Sequence, residues 1–195
     1  MTDTRTRFVV AATRAFAERG FYGASIAGIA ESLGLTKQAL LHHFGNKEKL
    51  YAEVLARISD RLMADLDEAH TGNDNGLEAT FVAFYRAALE HRDDTQLLMR
   101  ELLDNKHRAS SARTWYLKPF LDRLTALAIA AGPRVLEDEP QALAFVYQLL
   151  GAINYFAVSE PTLTQMLGPR AYGNTEAAFE AELRALIATR LAAAR

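Results

Sequence analysis

Cysteine is absent from the 195 residues. That excludes disulfide frameworks, thiolate zinc sites, iron–sulfur clusters and cysteine nucleophiles. Proline is scarce and late. All five prolines lie between Pro119 and Pro169, so the first 118 residues are free of that helix breaker. Neither charge dominates: 22 Lys and Arg stand against 24 Asp and Glu, for a net −2. On its face that balance argues against a nucleic-acid partner. The N-terminus lacks the apolar core of a signal peptide, because Asp3, Arg5, Arg7, Arg14, Glu18 and Arg19 interrupt it. No HExxH, P-loop, glycine-rich dinucleotide fingerprint or GxSxG occurs, so the sequence supports neither an enzyme nor a bound cofactor.

Charge is also missing from Pro140 to Ser159, a run of 20 residues that reaches membrane-spanning length. It starts at a proline, carries Gln141, Gln148 and Asn154, and has no basic flank. It reads as a buried helix or a subunit interface, and no membrane partner is expected. Half the residues are hydrophobic and 24% are charged, which is enough for a substantial core without metal or disulfide.

The apolar residues recur at helical spacing throughout. Phe8, Ala12, Ala15 and Phe16 share one face of a first helix that Gly20 is placed to end. Short helices follow from Ser25 to Leu33 and from Thr36 to about His43. A longer one starts at Asn46 and stops before the Gly72-to-Gly76 loop. Leu77, Phe81, Phe84, Tyr85 and Leu89 form the next stripe, and Asp93-Asp94 is placed to cap the helix after it. Further helices are expected around Trp115 to Ala131, from Glu139 to about Ser159, and from Thr175 to about Leu191. The prediction is all-α, with about nine helices.

The strongest local pattern lies between Ser25 and His43. Two helices of about eight residues flank Leu33-Gly34-Leu35, where Gly34 permits a tight turn. Ile29, Ala30, Leu33, Leu35 and Leu40 can bury the contact between them. This is the outline of a helix-turn-helix. The second helix of such a unit enters the DNA major groove, and its first residues reach base edges. Here they are Thr36, Lys37 and Gln38. Lysine can donate to guanine O6 and N7, and glutamine can pair with adenine N6 and N7. Adjacent His42 and His43 point about 100° apart on a helix, so they do not suit one metal ion. His70, His91 and His107 are scattered, and no metal site is expected.

Several features extend this pattern in both directions: Phe16-Ala17-Glu18-Arg19-Gly20-Phe21, Ser25-Ile26, Ile29-Ala30, Leu33 through Phe44, and Asn46-Lys47-Glu48-Lys49-Leu50. Together they resemble the TetR family of bacterial transcriptional regulators (TetR/AcrR-like), over about residues 5 to 55. The resemblance implies a three-helix DNA-binding domain at residues 1–50. It also implies an effector-binding and dimerisation domain at residues 51–195, and a homodimer on a double-stranded DNA operator. By matching positions, Ser25, Thr36, Lys37, Gln38, His42 and Lys47 are the expected DNA contacts. Leu41 departs from the tyrosine common there, and Ala27 and Gly28 replace polar residues, so phosphate contacts are expected to be fewer or shifted to Arg5, Arg7, Lys47 and Lys49.

In the C-terminal part, Phe84, Trp115, Tyr147, Asn154 and Tyr155 are the candidate walls of a ligand pocket, the last four bringing polar tips into an apolar lining. The lining points to a small lipophilic or aromatic effector of unknown identity. Leu143, Gln148 and Gly151 on one helix, with Phe179, Leu183, Leu186 and Ile187 on another, are the candidate dimer interface. The expected function is a cytoplasmic, ligand-responsive repressor released from a near-palindromic operator. The alternative is an all-helical ligand-binding protein or enzyme without operator binding. The charge balance fits the first reading once divided. Residues 1–50 hold seven Lys and Arg against four acids, whereas residues 51–195 hold 15 against 20.

Overall fold

A computed structural model describes residues 3–71, 76–103, 116–131, 136 and 138–192. Among the described residues there are ten α-helices and no strand: α1 (Thr4–Gly23), α2 (Ile26–Glu31), α3 (Lys37–Phe44), α4 (Lys47–Thr71), α5 (Leu77–Glu90), α6 (Arg92–Leu103), α7 (Lys118–Ala131), α8 (Glu139–Val158), α9 (Glu160–Leu167) and α10 (Pro169–Ala192). The helix not expected from the sequence is α9. Its Pro161 lies in the first turn, where a missing N–H costs nothing, so the residue that looks like a breaker opens a helix. Asp93 and Asp94 lie in the first turn of α6 rather than capping it.

The chain divides into two compact units. One comprises residues 1–61 and 93–116, the other residues 62–92 and 117–195. These packing units do not follow the division expected at residue 50.

In the first unit, α1 packs on α2 and α2 on α3, and Phe8, Phe16, Ile29 and Leu40 are buried together with Leu50 and Val54 at the start of α4. Burying each of these large apolar side chains is worth about 1.5–3 kcal/mol. Gly20 interrupts the first regular helical run, where the sequence expects it to end. It kinks α1, with φ 70° and ψ 173°, and the helix resumes to Gly23. A kink removes N–H donors from the preceding carbonyls. Arg100 of α6 replaces them, donating Nε to the Ala17 carbonyl at 2.6 Å and Nη2 to that of Glu18 at 3.1 Å. Beside this joint the Tyr51 hydroxyl donates to the buried Glu101 carboxylate.

In the second unit, α5 packs on α7, α8 and α10, and α9 lies against α8 and α10. A run of rings fills the space between α5, α8 and α10. Phe179 stacks on Phe156 at 4.4 Å and on Tyr85 at 5.0 Å, and Phe156 stacks on Tyr172 at 5.9 Å. The Tyr85 hydroxyl is not wasted in this apolar setting, since it donates to the Glu176 carbonyl at 2.8 Å. Burial, with Glu176 nearby, pushes the Tyr85 phenol well above its ordinary range. An ionic strap joins α5 to α10 at the surface: Arg86 pairs with Glu180 at 2.8 Å, and Arg184 pairs with Glu78 at 2.8 Å and with Glu180 at 3.1 Å.

Candidate nucleic-acid interface

The turn between α2 and α3 follows from one residue. Gly34 has φ 67°, a left-handed conformation that side chains with a Cβ disfavour. Its N–H donates to the Glu31 carbonyl at 2.9 Å, and the next N–H, of Leu35, reaches back to Ala30 at 3.0 Å. These paired bonds are a Schellman motif, which satisfies the last carbonyls of α2. The chain then enters α3 at once. Thr36 is extended, with φ −88° and ψ 152°, and its Oγ1 accepts from the Ala39 N–H at 3.1 Å, capping the helix. Leu40 and Phe44 face inward, and Thr36, Lys37, Gln38 and His42 are exposed.

Lys37 is the first residue of α3, and the first turn contains no acid. A cation there faces the positive end of the helix dipole, at a cost of about 0.3–1 kcal/mol. Local rules broken in this way are expected at functional positions. An external anion would reverse the sign of the interaction.

Two further caps frame the site. The Ser25 Oγ accepts from the Gly28 N–H at 3.0 Å and starts α2. With glycine at position 28 this is half a capping box, as the sequence implies. The Asn46 Oδ1 accepts from the Lys49 N–H at 2.8 Å and starts α4. Lys47 is half-buried, its Nζ 4.6 Å from the centroid of Phe21, so its ammonium is mounted on a ring rather than free to swing.

Arg5 is the residue whose role the sequence obscured. Its guanidinium is paired rather than free. Its Nε and Nη2 form a fork on Glu53 at 3.2 and 2.9 Å, and its Nη1 donates to the His43 carbonyl at 2.9 Å. Its guanidinium lies 4.6 Å over Phe44. It thereby ties α1 to the end of α3 and to α4. Partners 38 and 48 positions away leave no local signal in the sequence. Arg7 and Lys49 are exposed. So is Tyr22, which the sequence reading passed over. A cleft of about 610 Å³ beside Arg5, His43, Lys49 and Tyr116 has charged walls already paired by the Arg5–Glu53 fork, a poor match for a lipophilic molecule.

The described residues among those proposed for a pocket lie on different faces of their unit. Phe84 is buried with its ring 5.7 Å from that of Phe120. Tyr147 and Tyr155 are 48% and 70% exposed, on the outward face of α8, and so do not wall the interior of their unit. The reason is helical period: Ala142, Phe145, Val146, Leu149, Leu150, Ile153, Phe156 and Ala157 already fill the inner face. Asn154 is half-buried between the two faces. Trp115 lies outside the described residues. Among them no cluster of three or more potential metal ligands occurs.

The interface residues also separate. Gln148 and Gly151 are exposed on α8, Leu143 is half-buried, and Leu186 on α10 is 53% exposed. Leu183 and Ile187, by contrast, are buried within the subunit, and Phe179 is held between Tyr85 and Phe156. Leu183 and Ile187 belong to the chain's own core and have little surface left for a partner, while Phe179 is half-buried. The helix α8 is long and apolar enough to cross a bilayer by length and hydropathy alone. Its inner face packs on α5 and α7 as a core helix does.

Residues 8–54 match the family model described as bacterial regulatory proteins, tetR family. The HTH-type transcriptional activator FasR of Mycolicibacterium smegmatis is 34% identical over 86 residues, covering 43% of this chain and 39% of FasR. The HTH-type transcriptional repressor AcnR of Corynebacterium efficiens is 39% identical over 75 residues, covering 38% of this chain and 37% of AcnR. The matched stretch thus spans less than two fifths of each of these relatives. Two solved structures share the fold over nearly the whole chain. A transcriptional regulator from Rhodococcus has a TM-score of 0.70 at 23% identity, covering 97% of this chain and 96% of its own. The fatty acid degradation regulator FadR from Bacillus halodurans has a TM-score of 0.71 at 14% identity, covering 100% and 98%. Residues 8–54, which hold the capped helix-turn-helix, are thus similar to the tetR-family model and to the matched stretches of two HTH-type regulators, and the chain shares its fold with solved regulators over nearly its whole length.

Proposed function

We propose that the chain is a ligand-responsive transcriptional repressor that binds a near-palindromic operator as a homodimer in the cytoplasm. Residues 1–50 meet DNA, and residues 51–195 hold the effector and the dimer seam. The observation that carries this reading is the start of α3, where Thr36 caps the helix and an exposed Lys37 sits at its positive end without an acid in the first turn. Thr36, Ser25 and Lys47 serve the backbone, Lys37 and Gln38 read base edges, and His42 meets the groove or a phosphate at the helix end.

Blocking transcription needs no catalytic group, which agrees with the absence of an enzyme motif. The relatives similar to the N-terminal part include both an activator and a repressor, so residues 1–50 alone do not set the direction of regulation. The effector is a small lipophilic or aromatic molecule, in keeping with the aromatic interior of the second unit. It induces release by binding the DNA-free arrangement more tightly than the DNA-bound one. The outward face of α8, with Gln148 and Gly151, and Leu186 of α10 supply the dimer seam.

Footprinting on the DNA upstream of the gene, across a salt series, tests this. Lys37→Ala and Gln38→Ala should each lose about 1–3 kcal/mol and relax specificity, and Lys47→Ala should weaken all sequences alike and reduce the salt slope. Failure to bind any fragment at low salt overturns the regulator reading.

A further inference from the structure

We propose that Tyr22 is an additional contact to the DNA backbone, its hydroxyl meeting a phosphate beside the Lys47 ammonium. The proposal rests on the reading of residues 1–50 as the DNA-binding part. Tyr22 is 82% exposed, more than any other large apolar side chain among the described residues. Its ring stands edge-on against Phe21, with centroids 5.3 Å apart at 84°. The same Phe21 ring carries the Lys47 Nζ at 4.6 Å. Phenol ring and ammonium are therefore within about 10 Å of each other, bracketing one side chain.

That side chain is a fixed mount. Phe21 rests on Tyr51 at 4.9 Å and on Phe16 at 6.2 Å, and Phe16 and Tyr51 are buried. An exposed tyrosine held this way loses little conformational freedom on binding, because only two side-chain torsions are involved. Three residues later Ser25 begins α2, so the same stretch of chain leads into an expected backbone contact. A DNA strand offers one phosphate per 3.4 Å or so of helix axis, so neighbouring phosphates can meet a hydroxyl and an ammonium at this spacing. Tyrosine hydroxyls and lysines are both ordinary donors to phosphate oxygens. The phenol adds a hydrogen bond without adding positive charge, and this separates its effect from that of Lys47.

The test compares Tyr22→Phe, which keeps the ring and its contact with Phe21, with wild type and Lys47→Ala. Fluorescence anisotropy is read on two duplexes, one from upstream of the gene and one of scrambled sequence, across a salt series. Tyr22→Phe should weaken both duplexes by about tenfold, the size of one hydrogen bond to a charged group. Its salt slope should match wild type because no cation is lost, whereas that of Lys47→Ala should be shallower. Its thermal unfolding should also match wild type, since the hydroxyl is exposed. Equal affinity of Tyr22→Phe and wild type overturns the proposal, and so does a loss confined to one of the duplexes, which would mean base readout. If wild type binds neither duplex at low salt, the DNA-binding reading falls and this contact with it.

Discussion

Removing Arg5 tests whether the placement of α3 depends on the first turn of α1. Three interactions are lost in Arg5→Ala. The fork on Glu53 joins side chains 42% and 41% exposed, so solvent screens it to about 0.5–1 kcal/mol. The bond from Nη1 to the His43 carbonyl, 2.9 Å long, adds about 1 kcal/mol. The guanidinium over Phe44 adds about 0.5 kcal/mol. Together they amount to about 2 kcal/mol, concentrated at the last turn of α3. Native-state hydrogen exchange reads such local opening directly. The amides of α3 should exchange roughly thirtyfold faster in Arg5→Ala, at about 1.4 kcal/mol per factor of ten. Arg5→Lys, which keeps the charge but loses the fork, should fall between the two. Arg7→Ala, at an exposed position, is the control and should leave α3 unchanged. If the α3 amides exchange at the wild-type rate in Arg5→Ala, α3 is held by its apolar face alone and the reasoning is refuted.

Three further outcomes are expected. A Cβ at Gly151 would meet nothing within 4 Å in its own chain, so Gly151→Glu should fold normally and sediment as a monomer; an intact dimer would place the seam elsewhere. Leu183→Ala should cost about 2–5 kcal/mol in urea unfolding of the monomeric Gly151→Glu background, because it opens a cavity, whereas Leu186→Ala in that background should cost little. Arg86, hydrogen-bonded to Glu180, holds that carboxyl below its ordinary value. A depressed folded-state value means stability that is present above the ordinary carboxylate range and is lost as pH falls through the lowered value. Glu180→Gln should flatten that acid-side decline in thermal unfolding, and an unchanged decline would assign it to other carboxylates.

The parts legible in the sequence are those encoded locally. Gly34 and Thr36 state the turn and the cap within three residues, and the spacing of Ile29, Leu40 and Phe44 states which side is buried. The break at Gly20 was legible from the glycine itself, whereas the short turn that carries α1 on to Gly23 and the donors from Arg100, 80 or so residues away, left no local signal. The helix α9 was missed because Pro161 reads as a stop unless the first turn is already known. The residues of α8 were ambiguous for a different reason. Both of its faces are apolar, so period alone cannot say that Tyr147 and Tyr155 point outward while Phe156 points in. On α10, Leu183 and Leu186 look equivalent in sequence, and only packing shows one buried and the other exposed. Nothing local marks Arg5 as a staple rather than a free cation.

Gly34 carries a consequence for how this sequence can vary. A Cβ built there meets nothing within 4 Å, and the backbone φ is 67°. The position is therefore a filter on handedness and not on volume. A saturation library at position 34 would not rank residues by size. Asparagine and aspartate, which tolerate the left-handed region, would survive first, alanine would follow, and valine and isoleucine would be lost, whatever room surrounds them.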